Sequence, residues 1–135
     1  MSHICAPTMV GYLPDESLTS VDAEQVELLN CAAEGMEAEF WEDMLTTFAQ
    51  EVEPRFALIE QACTSEDAPN LRKYVHFIAG SAANLGLQRL SSFCRNVENA
   101  LDDGIFTAYA DCAPTLRHEY DDALNALRGQ LAALS

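Results

Sequence analysis

The segment that decides the fold is residues 74–87, which read YVHFIAGSAANLGL. Its apolar residues are spaced by three and four positions, as expected for one buried face of an α-helix. His76 lies about 100° around that helix from Val75, at the edge of the apolar face. Gly80 follows four positions later and is a neighbour of the histidine on the helix surface. The segment therefore predicts a helix with a histidine that another protein can reach.

The same helical spacing continues on both sides of this segment. It predicts helices over residues 21–33, 37–64, 69–85 and 87–101, and a last helix from Thr107 or Pro114 to Leu134. Long amphipathic helices joined by short turns pack as antiparallel neighbours. The sequence thus predicts an all-α fold, an up-down antiparallel four-helix bundle with an additional short N-terminal helix over one end. Heptad-like spacing also suits coiled-coil assembly, but the short Gly-containing turns favour a bundle within one chain.

Local signals predict where some helices begin, bend and end. Ser20 is the predicted N-cap of the first helix, because a hydroxyl can accept hydrogen bonds from free backbone amides. Pro54 removes one backbone donor from the second helix, so a kink or a short break is expected near Glu53. Gly86 is the predicted C-terminal cap of the third helix.

A length of 135 residues and a hydrophobic content of 49% fit one compact domain. Residues 1–20 are expected to be a loosely ordered lead-in, and residues 21–135 a single helical domain. No apolar run approaches the roughly 20 residues that span a bilayer. Residues 1–20 also lack the pattern of a secretory signal, so the cytoplasm is the expected compartment.

The five cysteines are widely spaced, and no CxxC pair occurs. The spacing of a zinc site is therefore absent, and no metal ion or cofactor of the protein's own is expected. Reduced cysteines that pack as small apolar residues are the favoured interpretation. A zinc site that joins His76, Cys94 and carboxylates is conceivable, but no spacing supports it. His3 and His118 are interpreted as incidental.

The net charge is −15, yet the segment from Arg72 to Arg95 contains four basic residues and no acidic one. A strongly acidic chain repels a phosphate backbone, so nucleic acid is excluded as a partner. Nor is a membrane surface expected. The local positive charge can still pair with one phosphoryl group or an acidic pocket.

The surface around His76 combines positive charge with small side chains. An imidazole nitrogen is a competent nucleophile at neutral pH. No Walker A or GxGxxG sequence occurs, so the chain lacks the signature of a nucleotide site of its own. A lone histidine beside an apolar face is also commonly a plain boundary residue. Five residues lie within about 60° of His76 on the helix: Arg72, Lys73, Ala79, Gly80 and Ala83.

The stretch from His76 to Leu87, followed by Arg89, Leu90, Cys94, Glu98 and Ala100, resembles the histidine phosphotransfer (HPt) domain family of two-component phosphorelays. That resemblance implies a four-helix bundle whose accessible His76 accepts a phosphoryl group through Nε2. Gly80 would give clearance to the partner's active site. The implied role is that of a phosphocarrier in signal transduction, without an ATP site, which shuttles a phosphoryl group between receiver-domain aspartates.

The implied partners are the receiver domains of response regulators and hybrid histidine kinases, with Mg²⁺ bound on the receiver. A monomer is expected. One position departs from the family motif, a histidine followed after two residues by lysine and glycine, because Ala79 stands in place of the lysine. Arg72 or Lys73 is expected to substitute in part. The alternative is a receiver-docking or inhibitory bundle that is not phosphorylated, and a third reading is a purely structural bundle.

Overall fold

The structure is a computed structural model that describes residues 17–134. Four long helices form a bundle in which each packs against the next and the last closes the ring against the first. The predicted all-α bundle with a short N-terminal helix is confirmed. Most of the expected lead-in, residues 1–16, lies outside the described range. Within that range the helices are α1 (Ala23–Ala32), α2 (Glu37–Thr64), α3 (Ala68–Asn84), α4 (Gln88–Asp102) and α5 (Tyr109–Leu134).

The core follows the apolar spacing of the sequence. On α3, the side chains of Leu71, Val75 and Ile78 are fully buried, and so are those of Leu90 and Val97 on α4. Full burial of an aliphatic side chain of this size contributes roughly 1.5–3 kcal/mol. These residues hold α3 and α4 against the bundle and leave the opposite faces of the two helices open to solvent.

The predicted N-cap of the first helix and the predicted break in the second are wrong, whereas the kink expected as the alternative to a break stays a prediction. Asp22, and not Ser20, is the N-cap of α1, because its Oδ1 accepts from the backbone amides of Glu24 (3.1 Å) and Gln25 (3.4 Å). The second helix has no break at Pro54, since α2 continues through it to Thr64. Both Pro54 and the residue one turn before it are exposed, so water can satisfy the carbonyl that loses its amide partner.

Gly86 ends α3 as predicted, and the turn that it forms also anchors α1. Its φ is +79°, and the Leu87 amide returns to the Ala82 carbonyl over 2.9 Å. The Asp22 amide donates to the Gly86 carbonyl over 2.7 Å. A Cβ at Gly86 would lie 3.2 Å from the Asp22 carbonyl oxygen, so the close approach also requires glycine. The α1 helix therefore covers the end of the bundle at the α3–α4 turn.

No described helix combines the length and the hydropathy needed to cross a membrane.

Candidate functional site

The candidate site lies where the exposed faces of α3 and α4 meet, a surface that we call the α3–α4 interface. The two helices run antiparallel after the tight turn at Gly86. Polar contacts link them along their length: Ser91 Oγ donates to the Ala79 carbonyl over 2.9 Å, and an ion pair between Arg72 and Asp102 closes the other end. His76 lies between these two contacts. The turn thus sets which residue of α4 faces the histidine.

The residue of α4 that faces His76 is Glu98. Its Oε2 lies 2.8 Å from His76 Nδ1. The histidine side chain is 59% exposed, whereas that of Glu98 is 9% exposed. A buried carboxylate at the edge of the core therefore holds one side of an imidazole whose other side is open to solvent.

The contact with Glu98 sets the protonation of the neutral ring. An ionised carboxylate can only accept a hydrogen bond, so Nδ1 must carry the hydrogen. The lone pair of the neutral imidazole then lies on Nε2. Within residues 17–134, Nε2 of His76 has no hydrogen-bond partner. The arrangement resembles the one that proteins use to orient a metal-binding or catalytic histidine, in which the second ring nitrogen is fixed by a carboxylate.

Arg72 is already engaged within this interface. Its Nη2 lies 3.0 Å from the same Glu98 oxygen, and its Nε lies 2.6 Å from Asp102 Oδ1. The hydrogen bond with Asp102 and the charges of both carboxylates raise the pKa of Arg72, so the guanidinium stays charged. The positive segment seen in the sequence is thus partly neutralised by acids of the next helix. Arg72 orients Glu98 and is not a free cation beside His76.

The other predicted surface residues separate into two groups. Lys73 and Ala83 are exposed, and Gly80 is partly exposed. A Cβ added at Gly80 would meet no heavy atom within 4 Å, so internal packing does not require glycine there. Ala79 is fully buried, and its placement on the exposed surface was wrong. Its side chain lies at the edge of the helix that turns toward α4, where Ser91 binds its carbonyl.

Sequence reasoning missed Glu98 and Asp102 as members of the site. Glu98 directly follows Val97 of the apolar stripe, so an acid at the edge of the core was the available signal. A predicted antiparallel hairpin would place it near the third helix, but the partner within that helix depends on the register of the turn.

The zinc hypothesis finds no support in the described part of the chain, where no cluster of potential ligands joins His76 and Cys94. Burial raises the pKa of the Cys94 thiol, which opposes the thiolate that a metal would need. His118 is exposed and lies 3.1 Å from Asp122 on the outer face of α5. His118 is therefore on neither of the two helices that form the α3–α4 interface.

Comparison with known families identifies the class of protein. The model of the Hpt domain matches residues 43–130, which cover most of the chain and include both helices of the site. The chain therefore belongs to the Hpt domain family. Members of this family are phosphocarrier modules of two-component phosphorelays and interact with receiver domains. No curated protein and no solved structure matches the chain at a significant level.

Proposed function

We propose that this protein shuttles a phosphoryl group between the aspartates of two receiver domains through Nε2 of His76. The observation that carries the proposal is the exposed imidazole fixed by Glu98 over 2.8 Å, which leaves Nε2 as the nitrogen that is free to react. Family membership supports the reaction class, and the geometry supports the choice of His76 and of its Nε2.

The transfer step follows from the tautomer. The Nε2 lone pair attacks the phosphorus of an aspartyl phosphate, the P–O bond to the aspartate breaks, and a P–N bond forms. The aspartate carboxylate leaves with the electron pair, and no proton has to move because Nε2 carries none. The ring becomes cationic, while Nδ1 keeps its hydrogen and its hydrogen bond to Glu98. The negative charge of Glu98 stabilises the cationic ring. The reverse reaction loads the next receiver. Mg²⁺ on the receiver stabilises the transferring group, and this chain contributes no cofactor.

Gly80 supports access to this nitrogen. It lies one helical turn after His76, and the space beside it is empty of protein atoms within 4 Å. A receiver pocket can therefore close over the imidazole without meeting a side chain at that position. Ala83, exposed on the next turn, extends this surface without adding a large side chain. We expect the receiver domains of response regulators and of hybrid histidine kinases as partners, bound by a monomer.

The test is phosphoryl transfer from a phosphorylated receiver domain to the purified protein. We expect a label on the wild type that is labile in acid and stable in base, as a phosphohistidine is. His76→Gln should abolish it without a loss of stability, because the side chain is largely exposed. His118→Gln is the matched control and should keep the label. Label that survives in His76→Gln would overturn the proposal.

A second candidate is favoured by one observation, the alanine at position 79. A bundle that docks on a receiver without accepting a phosphoryl group would keep the shape of the surface and lack the motif lysine. Tight receiver binding by a wild-type protein that never acquires label would support this reading. Failure to bind any receiver of the same organism would instead favour a structural bundle.

A further inference from the structure

Arg95 is an exposed arginine beside the α3–α4 interface, and residues 17–134 provide no ion-pair partner for it. It precedes Glu98 by three residues, so its Cα lies about 4.5 Å from that of Glu98 along the axis of α4. Because α3 and α4 run antiparallel, this position is level with the helical turn that follows His76. Rotation of about 60° separates it from Glu98, on the side away from the buried Val97 and Leu90. Arg95 is therefore directed toward the solvent edge of the interface.

A shared groove agrees with this direction. Arg95 lines the same surface depression as Ala83 of α3, together with Ser91 and Ser92. Ala83 lies two turns after His76, on the same face of α3. The arginine thus borders Ala83, at one end of the small-residue surface, from the side of α4.

The charge of Arg95 is not neutralised by a close acid. Within residues 17–134, no carboxylate oxygen lies within 4 Å of its guanidinium, whereas Arg72 contacts both Glu98 and Asp102. Arg95 itself is exposed. A guanidinium can bind two phosphoryl oxygens at once through its planar fork of N–H groups. It is therefore suited to a doubly charged group that arrives from solvent.

We infer that Arg95 pairs with the phosphoryl group on Nε2 of His76 and supplies from α4 the positive charge that Ala79 cannot supply from α3. The inference rests on the proposed function, since it names a further residue of the same site. It replaces the expectation for Arg72, which is held by two carboxylates, whereas the expectation for the exposed Lys73 stays a prediction. Ala79 is fully buried at the same level of the interface, so an arginine on α4 supplies one charge at the level where α3 carries an alanine.

The experiment uses potassium phosphoramidate, a small phosphodonor that needs no receiver. In this reaction the P–N bond of the donor breaks, a P–Nε2 bond forms, and ammonia leaves. The rate of phosphohistidine formation is followed by ³¹P NMR on the full chain. We expect Arg95→Gln to slow labelling roughly tenfold, in keeping with the loss of one charged hydrogen-bond pair. Arg95→Lys should retain most of the wild-type rate.

Arg128→Gln is the matched control, because Arg128 is an exposed arginine on α5. It makes the same change in net charge and should label at the wild-type rate. Adding Ala79→Lys to Arg95→Gln should restore labelling, and circular dichroism checks that the double variant folds. If it does not fold, the comparison of Arg95→Lys with Arg95→Gln decides the matter.

The outcomes are distinct for the two proposals. An unchanged rate in Arg95→Gln, or an equal fall in Arg128→Gln, overturns the role of Arg95. Labelling by phosphoramidate without transfer from a receiver overturns the shuttle, and the Arg95 comparison still stands. A wild type that neither donor labels overturns both.

Discussion

Two helix pairs of the bundle use polar residues in opposite ways. At the α2–α5 interface, defined by Phe48, Phe56 and Tyr120, aromatic rings pack at centroid distances of 5.0–5.8 Å, and the buried Tyr120 hydroxyl donates to Glu53 over 2.8 Å. At the α3–α4 interface, the polar contacts end at a histidine that is more than half exposed. One interface ties its hydroxyl to a carboxylate of the neighbouring helix, and the other presents its imidazole to solvent.

The difference indicates that one interface serves the stability of the fold and the other the chemistry of the site. Aromatic pairs add roughly 0.5–1.5 kcal/mol beyond the burial of their area, so the α2–α5 interface stabilises the bundle. The α3–α4 interface has alanine, glycine and serine beside its ion pairs, which leaves room for a partner. We therefore expect substitutions at the first interface to change the free energy of unfolding, and substitutions at the second to change the rate of phosphoryl transfer.

The largest expected effect is on stability. Tyr120→Ala removes a ring that is 2% exposed and should lower the free energy of unfolding by about 3–5 kcal/mol, measured by urea denaturation. The folded fraction should still accept phosphoryl groups at His76. Tyr120→Phe is the control and should cost only about 1 kcal/mol, because it loses the hydrogen bond to Glu53 alone. Equal effects of the two substitutions would contradict the assigned role of the ring.

At the other interface, Gly80→Leu should leave stability nearly unchanged and slow transfer from a receiver roughly 100-fold. The reason is steric, since the added side chain fills space that no atom of this protein occupies. Labelling by phosphoramidate should persist because that donor is small. Gly129→Leu places the same side chain in open space on α5 and should transfer normally. A fall in phosphoramidate labelling of Gly80→Leu would show damage to the site and not blocked docking.

A smaller effect is expected for Glu98→Gln. The amide can still accept from Nδ1, but it lacks the charge that stabilises the cationic ring, so transfer should slow roughly tenfold, or about 1.4 kcal/mol. The measurement is the single-turnover rate from a phosphorylated receiver. Asp102→Asn removes the same charge from the partner of Arg72 without a contact to His76, and should have a weaker effect. Equal rates in Glu98→Gln and wild type would exclude a role for the charge of Glu98 in transfer.

The smallest expected effect concerns alkaline pH. Burial, together with the hydrogen bond to Glu53, raises the pKa of the Tyr120 phenol. The neutral phenol is the folded form, so its contribution to stability is fully present below the unfolded pKa of about 10. That contribution is lost as pH rises toward the higher folded pKa. Between about pH 9 and 11, the free energy of unfolding should therefore fall less in Tyr120→Phe than in the wild type.

Much of the fold could be predicted because helical spacing is a local property. The bounds of α2 were predicted to the residue, and the glycine at position 86 ended α3 as expected. The site was harder, since it depends on which edge of α3 turns toward α4. Ala79 and Ala83 are both close to His76 in angle, yet only the first is buried against the neighbouring helix. The spacing within one helix cannot distinguish them.

The pairing of charged residues was hard to predict for the same reason. Arg72 and Arg95 are equivalent in a linear count of basic residues, but Arg72 is neutralised by acids that come 26 and 30 positions later. Such pairing depends on the register between two helices. For the same reason Glu98 was quoted for the family resemblance but not assigned to the site, although it stands at the edge of an apolar stripe where an acid is uncommon.

The tight turn at Gly86 has a consequence for how the site tolerates change along the chain. His76 and Glu98 are 22 positions apart, whereas Tyr120 and Glu53 are 67 apart. The reactive pair is thus contained in one helical hairpin, and its alignment depends on the number of residues between the partners. One inserted residue within α4 before Glu98 would rotate the carboxylate by about 100° and shift it by about 1.5 Å. In this hairpin, a change in length is therefore more damaging than most changes in residue type, because an insertion between His76 and Glu98 misaligns the pair.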